Sequence, residues 1–242
     1  MDHASFLEAI RTHCAALRAA AIEAGPDAPV PTCPKWTVQK LVAHLARVHS
    51  WVRAAVAAPD GEGVKPGRPP EDWPGTLAWA DEQRTAMLEL LANPGTPAWL
   101  PFGRYAPTTE SWTRRQAHEA AIHRLDAEYA LGVAPATFAP EFAADGIDEL
   151  IAWLLPGRGE WADRTTEGSV LLHAADVGQV WTIKLTPGAE PIVESGAHVP
   201  ATFEAGATIA GTADAVYKAV WGRPNHATVT GDTALLEPLA AP

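Results

Sequence analysis

The chain has 242 residues, 47% of them hydrophobic, enough for a substantial core in one large domain or two small ones. Its formal net charge of −11 and pI near 5.2 argue against nucleic acid or an anionic membrane as partner. Two cysteines, Cys14 and Cys33, supply neither a CxxC pair nor a disulfide framework, and with no basic-then-apolar leader and no stretch of membrane-spanning length a soluble cytoplasmic chain is expected.

Residues 5–23 repeat Phe6, Ile10, Cys14, Leu17 and Ala21 at helical spacing, and Gly25-Pro26 stops the run. A Pro-rich connector, 26–34, follows. The second helix is expected to take Thr37 as its N-cap and to run through Val38, Leu41, Val42, Leu45, Val48, Val52 and Val56. His44, three after Leu41 and four before Val48, lies on or beside the inward stripe. His49 sits roughly 140° round the helix from it and is expected to face elsewhere. Taken alone, His44 reads either as a core histidine bonded to a carbonyl or as a metal ligand.

Residues 59–74 form a Gly/Pro-laden acidic loop of the kind that covers or skirts a site. A third helix is expected over 76–91, with Leu77, Ala80, Met87, Leu88 and Leu91 inward. In the irregular stretch 93–107, Trp99, Phe102 and Tyr105 are read as anchors of a long loop rather than as a pocket mouth.

The fourth helix, Thr109–Leu131, organises the rest. Glu119 and His123 are four residues apart, roughly 400° of helix, so they stack on one face. The segment is not a zinc-protease helix, because that motif needs two histidines at i and i+4. Here His118 and His123 are five apart and diverge by roughly 140°. Trp112, Gln116, Glu119, His123 and Asp126 make a stripe at steps of three or four. Asp126, three beyond His123, reads either as an acceptor that fixes the imidazole or as the surface partner of Arg115 or Arg124.

A fifth helix is expected over 141–155, ending at Pro156-Gly157-Arg158-Gly159. The period then changes. Residues 169–173 and Gln179–Leu185 read as strands, with Trp181, Ile183 and Leu185 alternating against Val180, Thr182 and Lys184. Another strand is expected over 201–210, a helix from Gly211-Thr212 to Trp221, a short strand over 227–230 and a terminal turn at 231–233. The expected class is therefore α+β: a helical bundle over 1–160 and a small α+β domain over 161–242.

If the bundle brings His44 to Glu119 and His123, two helices supply a set of two imidazoles and one carboxylate. A buried carboxylate is costly unless paired or coordinated, and three protein ligands leave one tetrahedral position open. Zinc is preferred, although iron or nickel suits the same donors. Trp36-Thr-Val-x-x-Leu-Val-x-His44-Leu, and His118-Glu119-x-x-x-His123-Arg124-x-Asp126-Ala-Glu128, resemble the mycothiol-dependent maleylpyruvate isomerase family, one of the DinB/YfiT-like metal-binding bundles. Gly211-Thr-Ala-Asp214-Ala, Trp221-Gly-Arg223 and Val229-Thr-Gly231-Asp232 resemble that family's small, sterol-carrier-like C-terminal domain.

The resemblance implies a DinB-like four-helix bundle holding a divalent metal on His44, Glu119 and His123, with mycothiol as cosubstrate. Family members add or transfer this thiol, or use it to isomerise a cis double bond. A metal beside a thiol stabilises the thiolate, which is the nucleophile. Arg223 reads either as a clamp for substrate or cosubstrate polar groups or as a residue complementing a helix C-terminus. Trp51 and Trp112 read as core packing, the alternative being the lining of an interdomain cleft. The expected partners are a small thiol and an electrophile, on a monomer or dimer.

Two other readings stand beside this one: a hydrolase that activates water on the same ion, and a non-catalytic metal- or protein-binding bundle. No second Glu beside Glu119 favours hydrolysis, and Glu128 lies too far along the helix.

Overall fold

The computed structural model describes residues 1–102, 104–158 and 161–240. Contacts divide it into two compact units, Met1–Pro101 with Tyr105–Ala136, and Phe102–Arg104 with Thr137–Pro242. This division lies upstream of the change of period near residue 160. Gly159 and Glu160, where the bundle is expected to end, lie outside the described residues.

The first unit contains four helices, α1 (His3–Ala24), α2 (Val38–Ala57), α3 (Trp73–Leu91) and α4 (Thr109–Leu131). α1 packs chiefly on α4 and α2 chiefly on α3, while α2 also meets α4. The stripe Phe6, Ile10, Cys14, Leu17 and Ala21 is buried as its spacing predicts. On α4, Ile122 and Leu125 are buried, each contributing roughly 1.5–3 kcal/mol.

Helix ends show what the apolar pattern leaves out. Asp2 caps α1 by accepting from Ser5 N at 2.8 Å, and α3 starts at Trp73 rather than Thr76 because Asp72 accepts from Gly75 N at 2.8 Å. Thr37 does occupy the N-cap of α2, but its side chain caps nothing. The Pro-rich connector takes over: Val38 N donates to Ala28 O at 2.9 Å and Gln39 N to Pro26 O at 3.0 Å. α4 has the expected bounds and ends at Gly132, whose φ of 77° lies in the left-handed region.

In the second unit α5 (Pro140–Asp148) runs into a π-helical turn, Glu149–Leu154, closed by Leu155 N donating to Leu150 O at 2.8 Å. Five strands follow: β1 (Gly168–Ala174), β2 (Gln179–Leu185), β3 (Ile192–Gly196), β4 (Ala207–Gly211) and β5 (Thr228–Gly231). Their order is β3-β2-β1-β4-β5, with β1 and β4 parallel and the other pairs antiparallel. α6 (Ala213–Val220) packs on α5, where Tyr217 meets Phe138 at 5.4 Å and Phe142 at 6.2 Å between ring centroids. A closing 3-10 turn, Thr233–Leu239, buries Leu235 and Leu239.

The sheet holds one strand that the sequence did not indicate and corrects one expectation. β3 carries no apolar alternation because it is an edge strand whose residues are nearly all exposed. The strand expected over 201–210 is confined to Ala207–Gly211, because 200–203 turns instead, with Phe203 N donating to Pro200 O at 2.9 Å. Among the described residues, no helix is long and apolar enough to cross a membrane.

Candidate metal centre

α2 and α4 bring His44, Glu119 and His123 together, with one donor atom from each lying within 4.8 Å of the others. Glu119 Oε1 is the focus. It lies 3.0 Å from His44 Nε2 and 3.3 Å from His123 Nε2. Its other oxygen, Oε2, accepts from Arg115 Nη2 at 2.9 Å. The far nitrogen of His123, Nδ1, bonds Asp126 Oδ2 at 2.8 Å, and Asp126 Oδ1 accepts from Thr32 Oγ1 at 2.5 Å.

These side chains fit a divalent ion. Two imidazole nitrogens lie 3.0 and 3.3 Å from one carboxylate oxygen, separations that bonds of roughly 2.0–2.2 Å to a shared ion can span. Arg115 occupies the carboxylate oxygen that is turned away, and Asp126 fixes the imidazole through the nitrogen that is turned away. Burial raises the Glu119 carboxyl, but His123, His44 and Arg115 outweigh it and hold the group well below the usual carboxylate range. Burial pulls the His123 imidazole down, yet Glu119 and Asp126 prevail and raise it to about 9.

His44 is neither deeply buried nor bonded to a carbonyl. Its side chain keeps 35% of its exposure and lines a groove of about 600 Å³ with Trp36, Lys40, Arg47 and Arg68. A second groove of about 350 Å³ shares His44 and Arg47 and adds Trp51 and Val64. Trp36 stands over both imidazoles, its ring 4.7 Å from His44 and 5.8 Å from His123.

The neighbouring candidates fall out as follows. His118 diverges from His123 as its spacing requires; it is fully buried and meets the Phe6 ring edge-on at 6.0 Å. Of the two arginines suggested for Asp126, Arg115 holds Glu119, and Arg124 Nε donates to Glu128 at 2.6 Å. Trp112 is core, donating Nε1 to Trp99 O at 2.8 Å, whereas Trp51 is partly exposed and lines the second groove. Trp99 and Tyr105 anchor their loop: Trp99 N donates to Ala55 O at 3.0 Å, and Tyr105 is buried. Arg223 follows α6 in the second unit and donates Nη1 to Trp221 O at 2.6 Å.

His49 faces elsewhere than His44, as expected, and lines a separate small cavity with Cys14, Leu77 and Arg84. It is 2% exposed, because α2 is covered on more than one side, by α3, α4 and α1. Sequence reasoning also passed over Lys40 and Arg47, although their places four before and three after His44 put them on its face. Thr32 carries no such signal, since 94 residues separate it from Asp126.

Comparison with known proteins gives a consistent result. Residues 7–128 match the family model described as mycothiol maleylpyruvate isomerase N-terminal domain, and residues 141–238 match the corresponding C-terminal domain. Two solved structures share the fold: a mycothiol-dependent maleylpyruvate isomerase, at 12% identity and a TM-score of 0.59, and a mutant of such an enzyme, at 12% identity and 0.57. In each case the likeness covers 95% of this chain and 93% of the other. No curated protein matches the sequence.

Proposed function

The chain belongs to the mycothiol maleylpyruvate isomerase family, and we propose that it is a metal- and thiol-dependent enzyme. Its cosubstrate is mycothiol, which it adds or transfers to an electrophile or uses to isomerise a cis double bond of the maleylpyruvate type. The observation that carries this reading is the convergence of His44, Glu119 and His123 at the edge of a groove. Zinc suits the donors best. When bound, such an ion supplies positive charge that favours thiolate over thiol.

The chain's own residues do the rest. Glu119 and the two imidazoles present their donors toward one side, and Arg115 and Asp126 keep them there. Lys40, Arg47 and Arg68 give the groove a cationic wall that favours an electrophile carrying carboxylates. Arg223 is proposed as a further clamp for substrate polar groups. The other nearby carboxylates are engaged, Asp126 by His123 and Thr32 and Glu128 by Arg124 and the Ala136 amide. That favours thiol chemistry over activation of water.

The test is zinc content together with thiol-dependent loss of an unsaturated dicarboxylate's absorbance. His44→Ala, Glu119→Gln and His123→Ala should each lose zinc while keeping helical circular dichroism. Arg223→Ala should keep zinc and weaken turnover or binding. Turnover without thiol would favour the hydrolase, and zinc retained with no turnover across a thiol and electrophile panel would favour a binding protein.

A further inference from the structure

We infer that Thr32, in the connector between α1 and α2, is a positioning residue for the metal set, acting through Asp126 on His123. The inference rests on the metal reading above and concerns how the set is held in place. Asp126 is fully buried, so each of its oxygens needs a donor. Oδ2 serves His123 Nδ1 at 2.8 Å, with the Cys33 thiol as a weaker donor at 3.8 Å. Oδ1 takes the Thr32 hydroxyl at 2.5 Å. With both oxygens engaged the carboxylate cannot rotate without breaking a bond. The imidazole plane is then fixed, and Nε2 stays aimed at Glu119.

The connector is suited to this task because it is itself held. Val30 N donates to Trp36 O at 3.1 Å, Cys33 N to Val30 O at 3.0 Å and Trp36 N to Cys33 O at 2.8 Å. Val30 is 1% exposed and pins the segment to the core. Threonine adds its own stiffness, since branching at Cβ restricts χ1 and so the direction of the hydroxyl. The same few residues carry Trp36 over both imidazoles. One short segment thus steadies the set twice, by a hydrogen bond behind Asp126 and by a ring over the histidines.

A tether that merely ties connector to helix would affect stability alone, so the test reads metal affinity. Zinc is titrated against a chromophoric chelator for the wild type, Thr32→Val and Thr32→Ser, with thermal midpoints measured on each metal-free chain. Thr32→Val keeps the shape and removes the donor; it should weaken zinc by about 10- to 100-fold, the range for lost supporting bonds behind a ligand. Thr32→Ser restores a hydroxyl and should stay close to wild type. Equal affinity in Thr32→Val and wild type would overturn the inference while leaving the metal reading intact. Equal losses in both variants would also overturn it, by assigning the effect to packing of the connector. A folded wild type that holds no zinc would overturn the metal reading, and this inference with it.

Discussion

At Glu119 the two carboxylate oxygens have separate duties, Oε1 toward the imidazoles and Oε2 toward Arg115. The Arg115 side chain is 5% exposed and that of Glu119 16%, so Arg115→Met leaves a largely covered acceptor short of a donor. Glu119 keeps both histidines, which limits the loss in the metal-free chain to about 1–3 kcal/mol. Added zinc should recover part of it, and urea unfolding with and without zinc reads both effects.

His49 makes a second prediction at this scale. Neither of its ring nitrogens has a hydrogen-bond partner among the described residues, and Cys14, Arg18, Asp81 and Arg84 line the small cavity beside it. Arg18 and Arg84 both pair with Asp81, and Glu119, Arg84 and His44 act on the ring through their charges. Burial holds the imidazole down at about 3, while the unfolded chain takes up that proton near 6.5. The unfolded state therefore binds more protons between those values. The contribution of His49 to stability is constant above pH 6.5 and falls below it, by up to about 1.4 kcal/mol per pH unit. His49→Leu should reduce that slope in urea unfolding of the metal-free chain between pH 6.5 and 4.5, leaving the part due to His13, which burial holds down at about 4. The i, i+4 spacing made Glu119 and His123 legible from sequence, and the apolar stripe placed His44. Angle around one helix could not reveal the burial of His49, because that depends on which neighbours cover the helix.

Among the elements, the long helices were legible from the period of their residues, reinforced by a Gly stop at α1 and α4, and α4 has its expected bounds although its stripe is largely polar. β3 was not, since an edge strand owes its conformation to pairing with β2 rather than to its own pattern. Gly231, where β5 ends, shows the same dependence on a partner. Its φ is 83°, and it pairs with Ala207. A Cβ there would collide with Gly206 O and lie 2.9 Å from Ala207 Cα, both backbone atoms. Gly231→Ala should therefore cost at least about 1–3 kcal/mol, readable as a lowered urea midpoint. Zinc binding, proposed for residues of the first unit, should be unchanged.

For the molecule as a whole, a net charge of −11 repels anions, so the cations Lys40, Arg47 and Arg68 in one groove run against the average. An anionic electrophile should feel them over a Debye length of roughly 8–10 Å. Arg47→Gln should raise KM for a dicarboxylate several-fold, and raising salt should weaken wild type more than the variant; steady-state kinetics at two ionic strengths checks this. Trp36 has another consequence. Among the ten tryptophans, it is placed over the two imidazoles, which makes it an optical reporter: cobalt seated between those rings would quench its fluorescence, so site occupancy could be followed by emission and lost in Trp36→Phe.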